Sequence, residues 1–205
     1  MTDGNAFFDD LFEGRPVMAI LRGLGPEDTV TRASEAWDRG VSVIEVPVER
    51  DAAYRSLAAA ARAARARGMT LGAGTVYRRE QVDRVVELGA DFAVAPGFDA
   101  SVSTRCREHG LPYLPGVASA SEIQAALRAG HRWLKVFPAR ELGPEWVRAL
   151  LAPFPEVCFV ATGGIDAGNA QTFLDAGTKA VAVGSALHDP GQIDQLAAII
   201  APART

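Results

Sequence analysis

The sequence predicts an α/β fold, namely a closed (β/α)₈ TIM barrel preceded by a short N-terminal helix. Short apolar runs, of the kind that form buried parallel strands, alternate eight times with helical segments. No composition break or low-complexity spacer interrupts the alternation, which favours a closed barrel over an open doubly wound sheet. We therefore expect one barrel domain over residues 1–205, with short loops because the chain is small for this fold.

The elements follow from local patterns along the chain. The N-terminal helix is predicted over residues 5–14, where the apolar side consists of Phe7, Phe8, Leu11 and Phe12. The strands are predicted on the apolar runs at residues 17–22, 41–48, 70–76, 91–95, 112–114, 132–137, 157–161 and 179–183. The helices are predicted on the segments at residues 26–39, 51–67, 79–88, 100–109, 120–129, 144–151, 167–175 and 192–200. Five helices are expected to end at glycines suited to a helix C-terminus, which are Gly40, Gly89, Gly110, Gly130 and Gly177.

Composition and charge exclude several classes of protein. The formal net charge of −4 argues against a nucleic-acid partner, which would call for a basic patch. The Ala/Arg-rich run at residues 58–67 is therefore interpreted as a strong helix with a solvated face rather than an RNA-binding surface. No apolar run reaches about 18 residues, so we predict no membrane span.

The cysteines and the N-terminus favour a cytoplasmic protein. Residues 1–15 are acidic and lack the basic-then-apolar order of a signal peptide. Cys106 and Cys158 lie far apart and are predicted to be free thiols in a reducing compartment. The histidines show no metal-ligand spacing, so we predict neither a metal site nor a cofactor; they are His109, His131 and His188.

Lys135 stands in the middle of the sixth apolar run, between Leu134 and Val136. The chain has 21 basic residues, and only Lys135 and Lys179 are lysines. Arginine stays protonated at working pH, whereas a desolvated lysine loses its proton and becomes an amine nucleophile. The residue is thus a candidate Schiff-base lysine, and the alternative is a strand-end lysine whose ammonium reaches water.

Glu45 occupies a matching position in the second strand. Strand alternation places Glu45 on the face opposite Ile44 and Val46, and Lys135 on the face opposite its apolar neighbours. If those neighbours pack against the helices, both charged side chains point into the barrel and face each other across it. A purely structural ion pair is the alternative, although desolvation often exceeds its Coulomb gain.

Such a pair suits carbonyl substrates. A lysine amine condenses with a ketone to an iminium that accepts electrons, and a carboxylate moves protons nearby. Burial and Arg22 would lower the pKa of Lys135 whereas Glu45 would raise it, and the sequence leaves the balance open. Small residues on the fourth and eighth strands, Ala93, Ala95 and Ala182, are expected to leave a cavity beside the pair.

Polar residues and prolines occupy the ends of the predicted strands, where the sites of this fold lie. In order they are Arg22, Glu45, Thr75, Pro96, Pro115, Lys135, Thr162 and Ser185. Each one alone is also explained as a helix cap or a solvated strand end, and for Thr75 alone that explanation is preferred. The coincidence of a carboxylate, a lysine and an arginine indicates function instead.

Glycines follow the last two strands. Gly163 and Gly164 come after the seventh strand, and Gly184 with Ser185 after the eighth, where barrels of this type bind phosphate. The alternative is a pair of tight turns. The run Gly72-Ala73-Gly74-Thr75 is no dinucleotide fingerprint, because Tyr77 takes the place of the third glycine.

Six segments occur in order along the chain: Ile44-Glu45-Val46-Pro47-Val48, Gly72-Ala73-Gly74-Thr75-Val76, Ala95-Pro96-Gly97, Leu114-Pro115-Gly116, Leu134-Lys135-Val136-Phe137-Pro138-Ala139 and Thr162-Gly163-Gly164-Ile165. Taken together, they resemble the class I aldolases that act on 2-keto-3-deoxy-6-phospho sugar acids, and the similarity runs from about residue 17 to residue 187. The resemblance implies a (β/α)₈ fold, a homotrimer, and a Schiff-base mechanism without a metal. It implies a phosphorylated keto sugar acid as the small-molecule partner.

The resemblance also implies roles for individual residues. Lys135 would form the imine and Glu45 would act as general acid and base. The remaining positions would bind substrate: Arg22 and Thr75 at the carboxylate, Phe137 beside the lysine, and Gly163, Gly164, Gly184 and Ser185 at the phosphate, with Pro96 and Thr162 as further substrate-binding residues.

The two branches of the family are both represented in the sequence. Gluconate-type enzymes have a threonine and an arginine where this chain has Pro47 and Glu49, with Arg50 next. The Glu45-Val46-Pro47-Val48 form is similar to phosphogalactonate aldolases, whereas Thr162 before the paired glycines is similar to the gluconate type. We expect the galactonate epimer, with phosphogluconate or 4-hydroxy-2-oxoglutarate as the alternative substrate.

Two interpretations from other classes remain open. A phosphate-binding barrel isomerase or epimerase would share the glycine loops but would not need Lys135. A sugar-phosphate sensor would bind without releasing pyruvate, although the sequence contains no recognisable DNA-binding or output domain.

Overall fold

The computed structural model describes residues 4–184 and 190–200 of the chain. Among these residues nine parallel strands form one sheet: β1 (Val17–Ile20), β2 (Val43–Pro47), β3 (Leu71–Gly74), β4 (Phe92–Val94), β5 (Tyr113–Leu114), β6 (Gly116–Val117), β7 (Trp133–Val136), β8 (Cys158–Thr162) and β9 (Ala180–Val183). The strand order is β5-β4-β3-β2-β1-β9-β8-β7-β6, so neighbours in the sheet are mostly neighbours in the chain. This order is that of a (β/α)₈ barrel, which confirms the predicted fold.

The barrel closes at Pro115. The two outer strands of the sheet, β5 and β6, are separated by this one residue; β5 lies within the predicted fifth strand, and β6 continues beyond its predicted end at residue 114. Proline has no N–H to donate, which interrupts the strand. Its carbonyl still accepts a hydrogen bond from the backbone N–H of Lys135 at 2.8 Å, and Ala95 N–H donates to Leu114 O at 3.0 Å. The ladder therefore continues around the barrel.

Apart from the N-terminal helix, the helices form the outer layer, and they lie close to their predicted positions. Within the described residues they are α1 (Gly4–Phe12), α2 (Pro26–Asp38), α3 (Ala53–Arg67), α4 (Arg79–Glu87), α5 (Ala100–Glu108), α6 (Ala120–Arg128), α7 (Ala139–Leu142), α8 (Pro144–Leu151), α9 (Ala170–Asp175) and α10 (Pro190–Ile200). The single turn α7 was not predicted. The five glycines expected at helix ends all have positive φ, between 64° and 106°.

The apolar residues separate into two layers, as strand alternation requires. Ile44, Val46, Leu134 and Val136 belong to the cluster between sheet and helices. Val43 and Trp133, the neighbours of Glu45 and Lys135 on their own faces, belong to the cluster inside the barrel. Glu45 and Lys135 therefore point inward.

The prediction that small residues of the fourth strand leave a cavity inside the barrel was wrong. Ala93 and Ala95 face the helices, because Phe92 and Val94 point into the barrel. The ring of Phe92 is accommodated by Gly72 on the adjacent strand, where a Cβ would lie 2.3 Å from the ring. Ala182 does face the interior, as expected.

Helix α1 plugs the N-terminal end of the barrel. Its buried residues Phe8, Leu11 and Phe12 join the interior cluster, and Phe12 stacks on Trp133 with ring centroids 5.1 Å apart. The carboxylate of Asp9 accepts a hydrogen bond from Trp133 Nε1 at 2.9 Å. This end of the barrel is thus closed, and the open end is the one where the strands terminate.

Cys106 and Cys158 are both buried free thiols. Of the helices described here, none combines the length and the apolar character needed to span a bilayer.

Candidate active site

Lys135 lies on the interior face of β7 and is only 4% exposed. Its Nζ atom is 5.4 Å from the ring centroid of Phe137. Burial lowers the pKa of Lys135, the negative charge of Glu45 opposes this shift, and the positive charge of Arg22 adds to it. Burial prevails, so the structure provides a lysine whose amine loses its proton more readily than a solvated one.

Glu45 is completely buried on the interior face of β2. Among the described residues, neither of its carboxylate oxygens has a hydrogen-bond partner. A buried carboxylate without partners is costly for stability, and such costs are typical of functional groups held ready for a substrate. The arrangement is unlike a structural ion pair, which would satisfy these oxygens.

Gly74 makes room for that carboxylate. A Cβ built at this position would lie 1.7 Å from Oε1 of Glu45 and 2.5 Å from its Cδ, so no side chain fits there. Sequence reasoning did not identify Gly74 as part of the site. A glycine in the interior of a strand, which often marks a close approach, was the available signal.

A cavity of about 380 Å³ opens above Lys135. Seven of the predicted site residues line it: Arg22, Lys135, Phe137, Thr162, Gly163, Gly164 and Gly184. Ala182 also lines the cavity, as expected of a small interior residue, whereas Ile20 and Ile165 complete the wall and were not predicted. For Ile20 the signal was available, because it lies two residues before the predicted site residue Arg22 on the same strand face.

The other predicted residues lie outside the cavity wall. Glu45 is completely buried, Thr75 is half-buried, and Pro96 is exposed, with its carbonyl against Gly116. Ser185 lies outside the described residues.

Arg22 and Thr75 contact each other at the open end of the barrel. Arg22 Nη2 donates a hydrogen bond to Thr75 Oγ1 at 3.4 Å. Thr75 has a positive φ of 62°, which is unfavourable for a β-branched side chain and is found mostly where function requires it. The pair presents a guanidinium and a hydroxyl, both of which can donate to a carboxylate.

Glu49 and Arg50 flank this pair. Glu49 Oε2 lies 4.0 Å from Arg22 Nη1, and Glu49 Oε1 lies 3.7 Å from Arg50 Nε. An acidic side chain therefore stands beside Arg22, where the gluconate type of the resembled family carries an arginine.

The loop after β8 has the backbone expected of an anion site. Gly163 and Gly164 have φ of 98° and 69°, and a Cβ at either would press against Phe137 or Arg140. Only glycine fits both the conformation and the space, and it leaves backbone N–H groups accessible. Thr162, which precedes them, is buried with a hydroxyl that lacks a partner among the described residues.

A (β/α)₈ barrel with an inward lysine of lowered pKa near a buried carboxylate defines a barrel enzyme of the aldolase class. Comparison with known proteins agrees. The chain belongs to the KDPG and KHG aldolase family, whose model matches residues 9–201. The predicted family and enzyme class, a lyase, are thereby confirmed.

Individual relatives support both branches of the family. The chain is 34% identical to the 2-dehydro-3-deoxy-6-phosphogalactonate aldolase of Escherichia coli K12, over 86% of each chain. It is 38% identical to the 2-dehydro-3-deoxy-phosphogluconate aldolase of Treponema pallidum, over 86% of this chain and 82% of that protein. It also resembles a KDPG aldolase from Legionella pneumophila, solved with pyruvate captured as a covalent carbinolamine, with 28% identity, a TM-score of 0.83, and coverage of 98% and 97%.

Proposed function

We propose that the protein is a class I aldolase that cleaves a 2-dehydro-3-deoxy-6-phospho sugar acid to pyruvate and D-glyceraldehyde 3-phosphate. The observation that carries the proposal is Lys135, an inward-facing, buried amine of lowered pKa that lines the cavity. The carbinolamine captured in the Legionella relative shows that pyruvate bonds covalently to a protein of this family. The reaction needs no metal or cofactor in this scheme.

The reaction begins at the C2 ketone of the substrate. The neutral amine of Lys135 adds to C2, and loss of water gives a protonated imine. Glu45, directly or through a water molecule, removes the proton of the C4 hydroxyl while the C3–C4 bond breaks. The electrons of that bond move to the imine and form an enamine, and C4–C6 leave as glyceraldehyde 3-phosphate. Protonation of C3 and hydrolysis of the imine then release pyruvate and restore the amine.

The two ends of the substrate match the two ends of the site. We assign Arg22 and Thr75 to the C1 carboxylate, because they place donors side by side at the barrel mouth. We assign Gly163, Gly164 and Gly184 to the phosphate, together with Ser185, and Phe137 and Thr162 to the surrounding wall. Pro96, which lies outside that wall, stays a predicted substrate-binding residue. The protein is proposed to act as a single barrel domain, in a homotrimer, in the cytoplasm.

Borohydride reduction in the presence of pyruvate tests the proposal. We expect a reduced pyruvyl adduct on Lys135, located by peptide mass spectrometry, and none in Lys135→Ala. Lys179→Arg is the matched control, because Lys179 is the other lysine and is exposed, so that variant should retain the adduct. Unmodified wild-type protein would exclude the imine mechanism and leave the isomerase interpretation.

The epimer is proposed to be the galactonate. The Glu45-Val46-Pro47-Val48 segment favours it, and Glu49 stands beside Arg22 where the gluconate type has an arginine. The phosphogluconate or 4-hydroxy-2-oxoglutarate alternative is favoured by Thr162 and by the identity to the Treponema relative. Comparison of kcat/KM for the two C4 epimers distinguishes these two substrates, and we expect the higher value for the galactonate form.

A further inference from the structure

The carboxamide of Gln81, in the first turn of α4, makes four hydrogen bonds to backbone groups. Its Oε1 accepts from Tyr77 N at 2.9 Å and from Arg78 N at 3.0 Å. Its Nε2 donates to Thr75 O at 3.2 Å and to Val48 O at 3.4 Å. Both donors of the amide and its acceptor oxygen are thus engaged, which is the full capacity of this side chain.

Three of these bonds hold the segment that begins at a strained residue. Thr75 has a positive φ of 62°, and Gln81 binds its carbonyl together with the N–H groups of Tyr77 and Arg78, two and three residues further along the chain. A backbone conformation that a β-branched residue rarely adopts persists only when its surroundings impose it. The fourth bond, to Val48, ties this loop to the end of β2, the strand that carries Glu45.

The imposed conformation determines where the Thr75 hydroxyl points. In the structure that hydroxyl accepts a hydrogen bond from Arg22 at 3.4 Å, so guanidinium and hydroxyl lie side by side. If Thr75 relaxed to a negative φ, its Cα–Cβ bond would point in another direction and its hydroxyl would lose contact with Arg22. The carboxamide of Gln81 is fully engaged by backbone groups and has no donor or acceptor left for a substrate, so it acts on the site through Thr75.

We propose that Gln81 is a positioning residue of the carboxylate subsite, which holds Thr75 in its strained conformation so that Thr75 and Arg22 together bind the carboxylate of the keto acid. The inference rests on the proposed function, in which these two residues bind the pyruvate end of the substrate. Gln81 neither touches substrate nor moves a proton. Its effect is expected on binding of the pyruvate half and much less on the proton transfers that Glu45 performs.

On the opposite side of the site, the carboxamide of Asn169 also holds a loop through hydrogen bonds to the backbone, which allows the two amides to be compared. Asn169 accepts from Asp166 N at 3.1 Å and donates to Gly164 O at 2.9 Å, so its carboxamide holds the glycine loop. The two amides fix loops assigned to opposite ends of the substrate. Variants of Gln81 and Asn169 should therefore differ in which half of the substrate they affect.

The experiment measures the pyruvate concentration that half-saturates borohydride trapping. In Gln81→Met, of similar length and without polar hydrogen bonding, we expect this concentration to rise about ten-fold, because small misplacements of binding groups have effects of this order or larger. KM for the sugar acid should rise more than kcat falls.

Asn169→Leu should leave half-saturation by pyruvate unchanged and raise KM for the phosphorylated substrate. Gln124→Met, at an exposed position on α6, is the control and should behave as wild type.

A double-mutant cycle shows whether Gln81 acts through Thr75. In Thr75→Val, which lacks the hydroxyl, Gln81→Met should cause little further weakening of pyruvate binding, whereas independent structural damage would add in full. If Gln81→Met fails to fold, Gln81→Glu replaces it, because a carboxylate accepts from both N–H groups but cannot donate to the two carbonyls.

The outcomes separate the two proposals. Absence of any pyruvate adduct in the wild type overturns the proposed function. A wild-type adduct together with unchanged half-saturation in the folded Gln81 variant overturns the role of Gln81 and leaves the proposed function in place. Additive losses of pyruvate binding in the double-mutant cycle would also overturn the role of Gln81.

Discussion

At the N-terminal end of the barrel, the polar groups of α1 that face the strands have partners. Asp9 accepts from Trp133 Nε1 and pairs with Arg132, and Asn5 donates to Gly130 O and accepts from Arg132 N. At the C-terminal end, within the described residues, the buried oxygens of Glu45 and Thr162 have no partners.

The same strand passes through both environments. On β7, Trp133 faces inward at the closed end with its N–H satisfied, and two residues later Lys135 faces inward below the cavity with a lowered pKa. The closed end is built for stability, because each polar group that α1 buries there is compensated. The open end keeps costly groups that a substrate would satisfy, as expected where activity and stability conflict.

The largest effect is expected from Glu45→Gln at the open end. The substitution keeps the size of the side chain and removes its ability to accept a proton, so kcat for cleavage should fall by about 10²–10⁴-fold. Thermal unfolding should show no loss of stability, since the carboxylate oxygens have no hydrogen bonds to lose. A variant that kept its kcat would contradict the role of Glu45.

Gly74→Ala is expected to act on the same carboxylate indirectly. The added methyl group would lie 1.7 Å from Glu45 Oε1 and must displace it, so we expect kcat to fall by roughly 10²-fold. Gly4→Ala is the matched control at the closed end, because its Cβ would lie 3.8 Å from Pro112 in ordinary contact. Equal activities for the two variants would show that the position of the carboxylate is unimportant.

The pH dependence of imine formation should report the lowered pKa of Lys135. Only the neutral amine attacks, so the trapping rate should rise about ten-fold per pH unit and level off below pH 10.5, the ordinary lysine value. Arg22→Met should move the midpoint upward, because the positive charge of Arg22 lowers the pKa. A midpoint at or above 10.5 would mean that burial does not prevail over the charge of Glu45.

The smallest effect on activity is expected from Asp9→Ala at the closed end. The variant leaves the indole N–H of the buried Trp133 without its acceptor, which costs about 1–2 kcal/mol of unfolding free energy. We expect kcat/KM to be unchanged, because the site lies at the other end of the barrel. Chemical denaturation and steady-state kinetics on the same preparation check both expectations, and a loss of activity without a loss of stability would contradict the separation of the two ends.

Local sequence patterns sufficed for the elements and for much of the site. Apolar runs and terminal glycines place the strands and helices, and period-2 alternation turns Glu45 and Lys135 inward. The same alternation does not say which face of the fourth strand is inward, and the expected cavity beside Ala93 and Ala95 was wrong because Phe92 and Val94 occupy the interior face. Helix α9 begins at Ala170 rather than at 167, because Asp166 and Asn169 first form a hydrogen-bonded turn.

Local patterns of amino acids predict the order of strands and helices, the inward direction of the acid and the amine, and the glycine loops, because each depends on neighbours a few residues away. Four other properties become visible only in the folded chain: the closure of the barrel across Pro115, the downward shift in the pKa of Lys135, the space that Gly74 leaves for Glu45, and the hydrogen bond from Gln81 to Thr75. These four properties arise where distant segments meet, and burial, steric fit and hydrogen bonding between such segments are set by the packed chain rather than by any local pattern.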